Sequence, residues 1–260
     1  KYPKNIEFAE TYVWEDFRTK NVTGKITEIK TAEDLALFAY LVNTGVDYKG
    51  LEVTLKANID LSGKYWVPIG KDNEHAFNGK FVGNGYTIKY ASVEESSLAK
   101  TNETKVHYAG IFGYVKDAEI SGLTLLGGKI SGECAGGLVG YAENVKFKAI
   151  VNRNNVMGDS YAGGLVGYSK GCSFENCNNY AEVKNTDNYN STEVYVGGIA
   201  GQIVDGSLIT LNSLNDKGIQ NYGVVYIQES NNNHFGTEHL VSVWVGGIAG
   251  SADCKTISTK

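Results

Sequence analysis

An all-β fold, specifically a right-handed parallel β-helix (a solenoid) with an N-terminal capping α-helix, is what this sequence predicts. Three observations predict it. First, a glycine-rich segment recurs five times: Tyr108-Ala-Gly-Ile-Phe-Gly-Tyr114, Ala135-Gly-Gly-Leu-Val-Gly-Tyr141, Ala162-Gly-Gly-Leu-Val-Gly-Tyr168, Val196-Gly-Gly-Ile-Ala-Gly-Gln202 and Val245-Gly-Gly-Ile-Ala-Gly-Ser251. Its aligned glycines, Gly110, Gly137, Gly164, Gly198 and Gly247, lie 27, 27, 34 and 49 residues apart. Second, each repeat holds short apolar runs such as Ala118-Glu-Ile-Ser-Gly-Leu-Thr-Leu125, separated by Gly and Asn and too short for a helix. Third, 32 of 260 residues are Gly and only 2 are Pro, so turns are frequent and regular. Three short strands and three turns fit a 27-residue coil, and coils stack at the strand spacing of ~4.8 Å. A propeller fits less well, because a four-stranded blade takes about 40 residues or more.

Taken in order, residues 1–24 read as an approach segment of undefined structure, and 25–260 as a single β-helix domain. Thr31-Ala-Glu-Asp34 opens a helix at about 31–44, with Thr31 as N-cap and Asp34 near the positive helix terminus. Leu35, Phe38, Leu41 and Val42 form its apolar stripe, and Gly45 closes it. A solenoid exposes unpaired strand edges at its open end, and this helix is expected to cover one of them. Leu51–Leu55 and Phe77–Ile88 read as the first coils. The chain begins at Lys1 with no Met, which points to a mature chain from which a leader has been removed.

Charge and hydropathy exclude several classes of partner. With 24 basic and 29 acidic residues, a net charge of −5 and no Lys/Arg cluster, no nucleic-acid partner is expected. No apolar run approaches the ~18 residues of a membrane-spanning helix. The four cysteines, Cys134, Cys172, Cys177 and Cys254, form no C-x-x-C pair. A local disulfide between Cys172 and Cys177 stays open beside the simpler reading of four small buried side chains.

No catalytic or cofactor motif stands out. His75, His107, His234 and His239 form no H-E-x-x-H or H-x-x-x-H pair, so no metal site is expected. Gly167-Tyr-Ser-Lys-Gly171 matches a nucleophile elbow in letters only, because it lies inside a β repeat with no helix after it. Gly83-Asn-Gly85 reads as a turn rather than a dinucleotide loop, and no cofactor is implied. Glycosidase chemistry needs two carboxyl groups ~5–9 Å apart. Asp117, Glu119, Glu143, Asp159 and Glu175 are scattered, and none recurs at the repeat spacing beside a second acid.

The unequal repeat steps locate a binding edge. The extra residues fall largely between the last strand of one coil and the next Gly-Gly: 94–104, 184–193 and 228–239. The two middle coils have short connections there, Ser131-Gly-Glu133 and Gly158-Asp-Ser160. Insertions confined to one face of a solenoid commonly build its binding face. Three places before each aligned glycine stand His107, Cys134, Tyr161, Tyr195 and Trp244. The candidate ligand-binding residues are Tyr161, Tyr195 and Trp244, with Asn188, Tyr189, Asn232, His234 and Phe235 from the insertions. Aromatic rings beside Asn-rich loops suit the apolar faces and hydroxyls of sugars, and they equally suit ring packing between coils. A second column, Tyr114, Tyr141 and Tyr168, is expected to stack as a ladder at ~4.8 Å.

Ile29–Ala39, Ala57-Asn-Ile-Asp-Leu-Ser62, Trp66-Val-Pro-Ile-Gly70, Phe77–Gly85 and the Gly-Gly-Leu-Val-Gly repeats together resemble the GLUG-motif family over about residues 25–251. The resemblance implies a bacterial cell-surface or secreted, adhesin-like protein. Its partner would be a host surface, an extracellular-matrix component or a polysaccharide. The motif also accompanies IgA-specific metallopeptidases, whose H-E-x-x-H zinc helix has no counterpart in this sequence, and the resemblance carries over no catalytic residue. The expected function is therefore non-enzymatic binding by a monomer. A carbohydrate-active or accessory module using loop carboxylates and a passive spacer are the alternatives.

Overall fold

The computed structural model describes residues 10–11, 24–94, 106–186, 193–210, 218–227 and 242–259. All strand pairs among them are parallel, and through the central repeats they join residues 27 apart, such as Tyr114 with Tyr141 and Phe147 with Phe174, except that Lys129–Gly132 pair with residues 26 further on. Successive repeats therefore stack turn upon turn as an all-β parallel solenoid. Each turn carries five short strands rather than three. In one turn Val139–Glu143 supplies the first, and the continuous ladder Lys146–Gly163 bends through the other four. Stretches such as Val156-Met-Gly-Asp read as turns in the sequence because they alternate one inward apolar residue with small polar ones. They nevertheless keep their ladder partners, Val156 with Ile130 and Val183.

Corners recur at the same period. Asp117, Asn144, Gly171 and Asp205 hold left-handed φ of 50°, 55°, 64° and 53° between the first and second strands. Short polar side chains and Gly visit that region at low cost, which is why they mark the corner in the sequence. Ala149, at φ 53° beneath the equivalent Gly122, is held there by the ladder on either side.

Interior residues pile into columns. Val53, Phe81, Ile120, Phe147 and Phe174 are successive ladder partners, none more than 1% exposed. The rings of Phe147 and Phe174 stack at 5.1 Å. A second column changes character along its length: Ile59, Ile88 and Leu125 are followed by Asn152, Asn179 and Asn221. Asn152 Nδ2 donates to Asn179 Oδ1, and Asn179 Nδ2 donates to Asn221 Oδ1, each at 2.9 Å. Each amide also clamps the backbone two residues on, as Asn179 does to the N–H and C=O of Ala181. This buried ladder satisfies a corner that neither helix nor sheet would satisfy. It also explains the second glycine of the repeat. A Cβ on Gly164 would meet the carbonyl of Gly198 and the side chain of Asn179, with the same arrangement at Gly137 and Gly198.

Helix α1 (Ala32–Asn43) replaces the remaining strands of one turn, between Glu28–Ile29 and its ladder partner Glu52–Leu55. Its start is a capping box: Thr31 Oγ1 accepts from the Asp34 N–H, and Asp34 accepts from the Thr31 N–H, both at 3.1 Å. Leu35, Phe38, Leu41 and Val42 are buried. Phe38 packs edge-on against Tyr48 and Phe77 and face-on over Phe81, covering the N-terminal end of the interior. The approach segment contributes a strand of its own, Glu10–Thr11, paired with Lys64–Tyr65.

All four cysteines are free, so Cys172 and Cys177 are not joined. Both lie in the interior with Sγ facing backbone carbonyls, and burial pushes each thiol up to about 12. Native protein at pH 8 is expected to release no more than the half-buried Cys254 promptly to a thiol reagent, with all four reacting in denaturant. Prompt labelling of Cys172 or Cys177 would contradict the packed interior.

Candidate functional site

The fifth strand of each turn and the first strand of the next meet at the Gly-Gly bend, and each carries aromatic rings. Along the first strands, Tyr114, Tyr141 and Tyr168 stack at 4.6 and 4.9 Å with interplanar angles of 19° and 13°, the ladder that the 27-residue spacing predicts. Along the fifth strands, Tyr161, Tyr195 and Trp244 stack at 5.3 and 6.2 Å, each pair within 6° of parallel. The two columns meet at right angles, Tyr161 against Tyr168 and Tyr108 against Tyr114, each 5.2–5.3 Å apart at 81–83°. Offset and edge-to-face rings of this kind contribute roughly 0.5–1.5 kcal/mol per pair beyond burial. The columns are therefore structural as well as accessible.

Burial pushes the Tyr161 phenol up to about 12 and the phenols of Tyr108, Tyr114, Tyr141 and Tyr168 upward as well. All stay neutral near pH 7 and keep a hydroxyl that donates and accepts.

Sequence alignment on the glycines places His107 in the fifth-strand column. The ladder instead pairs Tyr108 with Cys134, and Cys134 with Tyr161. The first repeat has a single Gly where later ones have Gly-Gly, so its residues shift by one. Tyr108 is thus a site residue that the alignment passes over, and its own Tyr-Ala-Gly sequence marked it. Tyr195 is only 7% exposed, its faces covered by Tyr161 and Trp244, whereas Trp244 is 50% exposed. Asn188, Tyr189, Asn232, His234 and Phe235 lie outside the described residues. The chain leaves Val93, Asn185 and Tyr226 on the fourth strands and resumes on the fifth at Tyr108, Glu193 and Ser242. The three insertions therefore begin and end at one edge. A further insertion sits elsewhere: the ladder step of 34 between Phe174 and Leu208 becomes 42 between Asn179 and Asn221, at the corner after the second strand.

The acids are engaged by neighbouring turns. Glu143 lies between Lys116 and Lys170 at 3.5 and 3.6 Å, Glu175 pairs with Lys148 at 2.8 Å, and Asp117 accepts from Asn144 at 3.0 Å. A shallow recess of about 610 Å³ is lined by Glu52, Lys80, Glu119 and Lys146, whose charges alternate from turn to turn. Alternation places unlike charges opposite one another across parallel strands, so these groups stabilise stacking and leave no matched acid pair. Among the described residues no three His, Cys, Asp or Glu side chains cluster to hold a metal.

The fold and this edge define a repetitive β scaffold bearing an aromatic corner. No family model matches the chain, and no curated protein matches it. Among solved structures it is similar to a putative immunoglobulin A1 protease from Bacteroides ovatus, with a TM-score of 0.58 at 18% identity. The similarity covers 97% of this chain and 66% of that one, so this chain spans just under two thirds of that protein's length. At that identity the likeness establishes a shared fold and nothing about activity. No helix among the described residues is long and apolar enough to cross a membrane.

Proposed function

We propose that the protein is a non-catalytic, adhesin-like binding module: one right-handed parallel β-helix, GLUG-like in its repeats, that acts outside the cytoplasm. It presents its insertion-bearing edge to a polysaccharide. One observation carries this reading. The Tyr161–Tyr195–Trp244 stack ends in a half-exposed indole at the corner where three insertions leave the scaffold. A flat aromatic platform beside Asn-rich segments suits a sugar's apolar face and its hydroxyls. Asn188, Tyr189, Asn232, His234 and Phe235 supply polar and aromatic contacts in this reading. The engagement of Glu143 and Glu175 by lysines, and of Asp117 by Asn144, supports binding over hydrolysis.

A glycan array run beside a host-matrix panel tests it. Trp244→Ala is expected to weaken binding to the positive glycans at least tenfold while lowering the melting temperature by only a few degrees, since the indole is half in solvent and makes one stacking pair. Silence on both panels would favour a spacer. Cleavage of immunoglobulin A1 or of a glycan by the purified chain would replace the binding reading with an enzymatic one.

A further inference from the structure

The fifth-strand column holds a ring at Tyr108, Tyr161, Tyr195 and Trp244, but a thiol at Cys134. Cys134 is buried, with its Sγ turned to the Gly140 carbonyl at 3.1 Å, so it fills little of the space that a ring takes elsewhere in the column. A cavity of about 300 Å³ results, lined by Tyr108, Cys134, Tyr141, Tyr161 and Tyr168. Tyr108 and Tyr161 flank it two turns apart, about twice the inter-turn spacing of ~4.8 Å. One ring fits between them at stacking distance from each. Its lining also includes the exposed His107 and the partly buried Glu133, bridged at 2.7 Å.

We infer that this gap in the ladder is a binding site for a single pyranose unit, a residue of the polysaccharide in the reading above, on which this inference rests. A pyranose has two apolar C–H faces and a rim of hydroxyls. The tyrosine faces meet the first, and the tyrosine hydroxyls, the Glu133 carboxylate and the His107 ring meet the second. A plain aromatic guest would fill the slot but leave that polar rim unmatched. A cationic guest would compete with His107 for Glu133.

Filling the gap tests the idea. Cys134→Tyr restores the ring that the column lacks, at a position whose ladder neighbours on both sides already carry tyrosine. Methyl β-glycosides of glucose, galactose, N-acetylglucosamine and glucuronic acid, at millimolar concentration, serve as probes in saturation-transfer NMR. At least one is expected to bind wild-type protein. Cys134→Tyr is expected to weaken it tenfold or more with no fall in melting temperature. If no glycoside binds, or if Cys134→Tyr binds as wild type does, the slot is not a sugar site, whatever the array shows for longer glycans. If Cys134→Tyr loses melting temperature, Tyr161→Ala takes its place, and unchanged glycoside binding in that variant overturns the site equally. Monosaccharide binding in the slot with a silent array would leave this site standing and remove the extended edge.

Discussion

Gly164→Ala is expected to destabilise the solenoid by about 4 kcal/mol, at the upper end of single substitutions that overfill a packed interior. The new methyl would meet the Gly198 carbonyl of the next turn and Asn179 of the amide ladder at once. The Gly198 backbone is tied to the following turn by its N–H bond to the Gly246 carbonyl, and Asn179 is clamped between two asparagines, so neither can retreat freely. For a chain of this size such a loss lowers the melting temperature by roughly 10 °C. Gly247→Ala is the matched control. It occupies the same place in the repeat, has no left-handed φ, and finds no described atom within 4 Å of the added carbon. It is expected to be nearly neutral. Equal losses for the two, read by calorimetry, would mean that the glycine serves the bend itself rather than the approach of the next turn.

That contrast shows what the sequence discloses and what it withholds. Inter-turn register is legible because one motif repeated at 27 residues forces equivalent letters to stack, as Tyr114, Tyr141 and Tyr168 do. Thr31 and Asp34 disclose the helix start because a capping box needs no tertiary partner. The five-strand turn is not legible, since Val156 and Val183 sit among glycines and polar residues that elsewhere make turns. Nor is the asparagine ladder: Asn152, Asn179 and Asn221 read as surface or turn residues until the third dimension puts their amides in contact. The candidate site divides in the same way. Tyr161, Tyr195 and Trp244 announce themselves by position, but a one-residue deletion displaces His107 and brings Tyr108 into the column. The slot beside Cys134 is visible only once its neighbours are known to be rings.

Replacing one nitrogen by oxygen in the amide ladder is expected to cost more than any surface change. In Asn179→Asp, the atom that donates to the Ala181 carbonyl at 3.0 Å and to Asn221 Oδ1 at 2.9 Å becomes an acceptor facing two acceptors. The site is fully buried, so an ionised carboxylate there loses hydration as well as both hydrogen bonds. Two unmet contacts at ~1–3 kcal/mol each give a loss of about 4 kcal/mol near pH 7. Protonation restores one donor, so burial and the facing oxygens raise the folded-state pKa of the new carboxyl above its unfolded value near ~3.9. A group with a raised folded-state pKa favours the fold below its unfolded pKa and loses that contribution as pH rises through the folded one. The gap between wild type and variant in urea unfolding is therefore expected to be smaller at pH 4.5 than at pH 7. Asn221→Asp, at a half-buried position nearer the end of the ladder, is expected to show the same trend with a smaller amplitude. A gap that does not change with pH would mean that the Asn179 amide is not clamped between two oxygens, and the hydrogen-bonded ladder would lose its place as the device that holds this corner together.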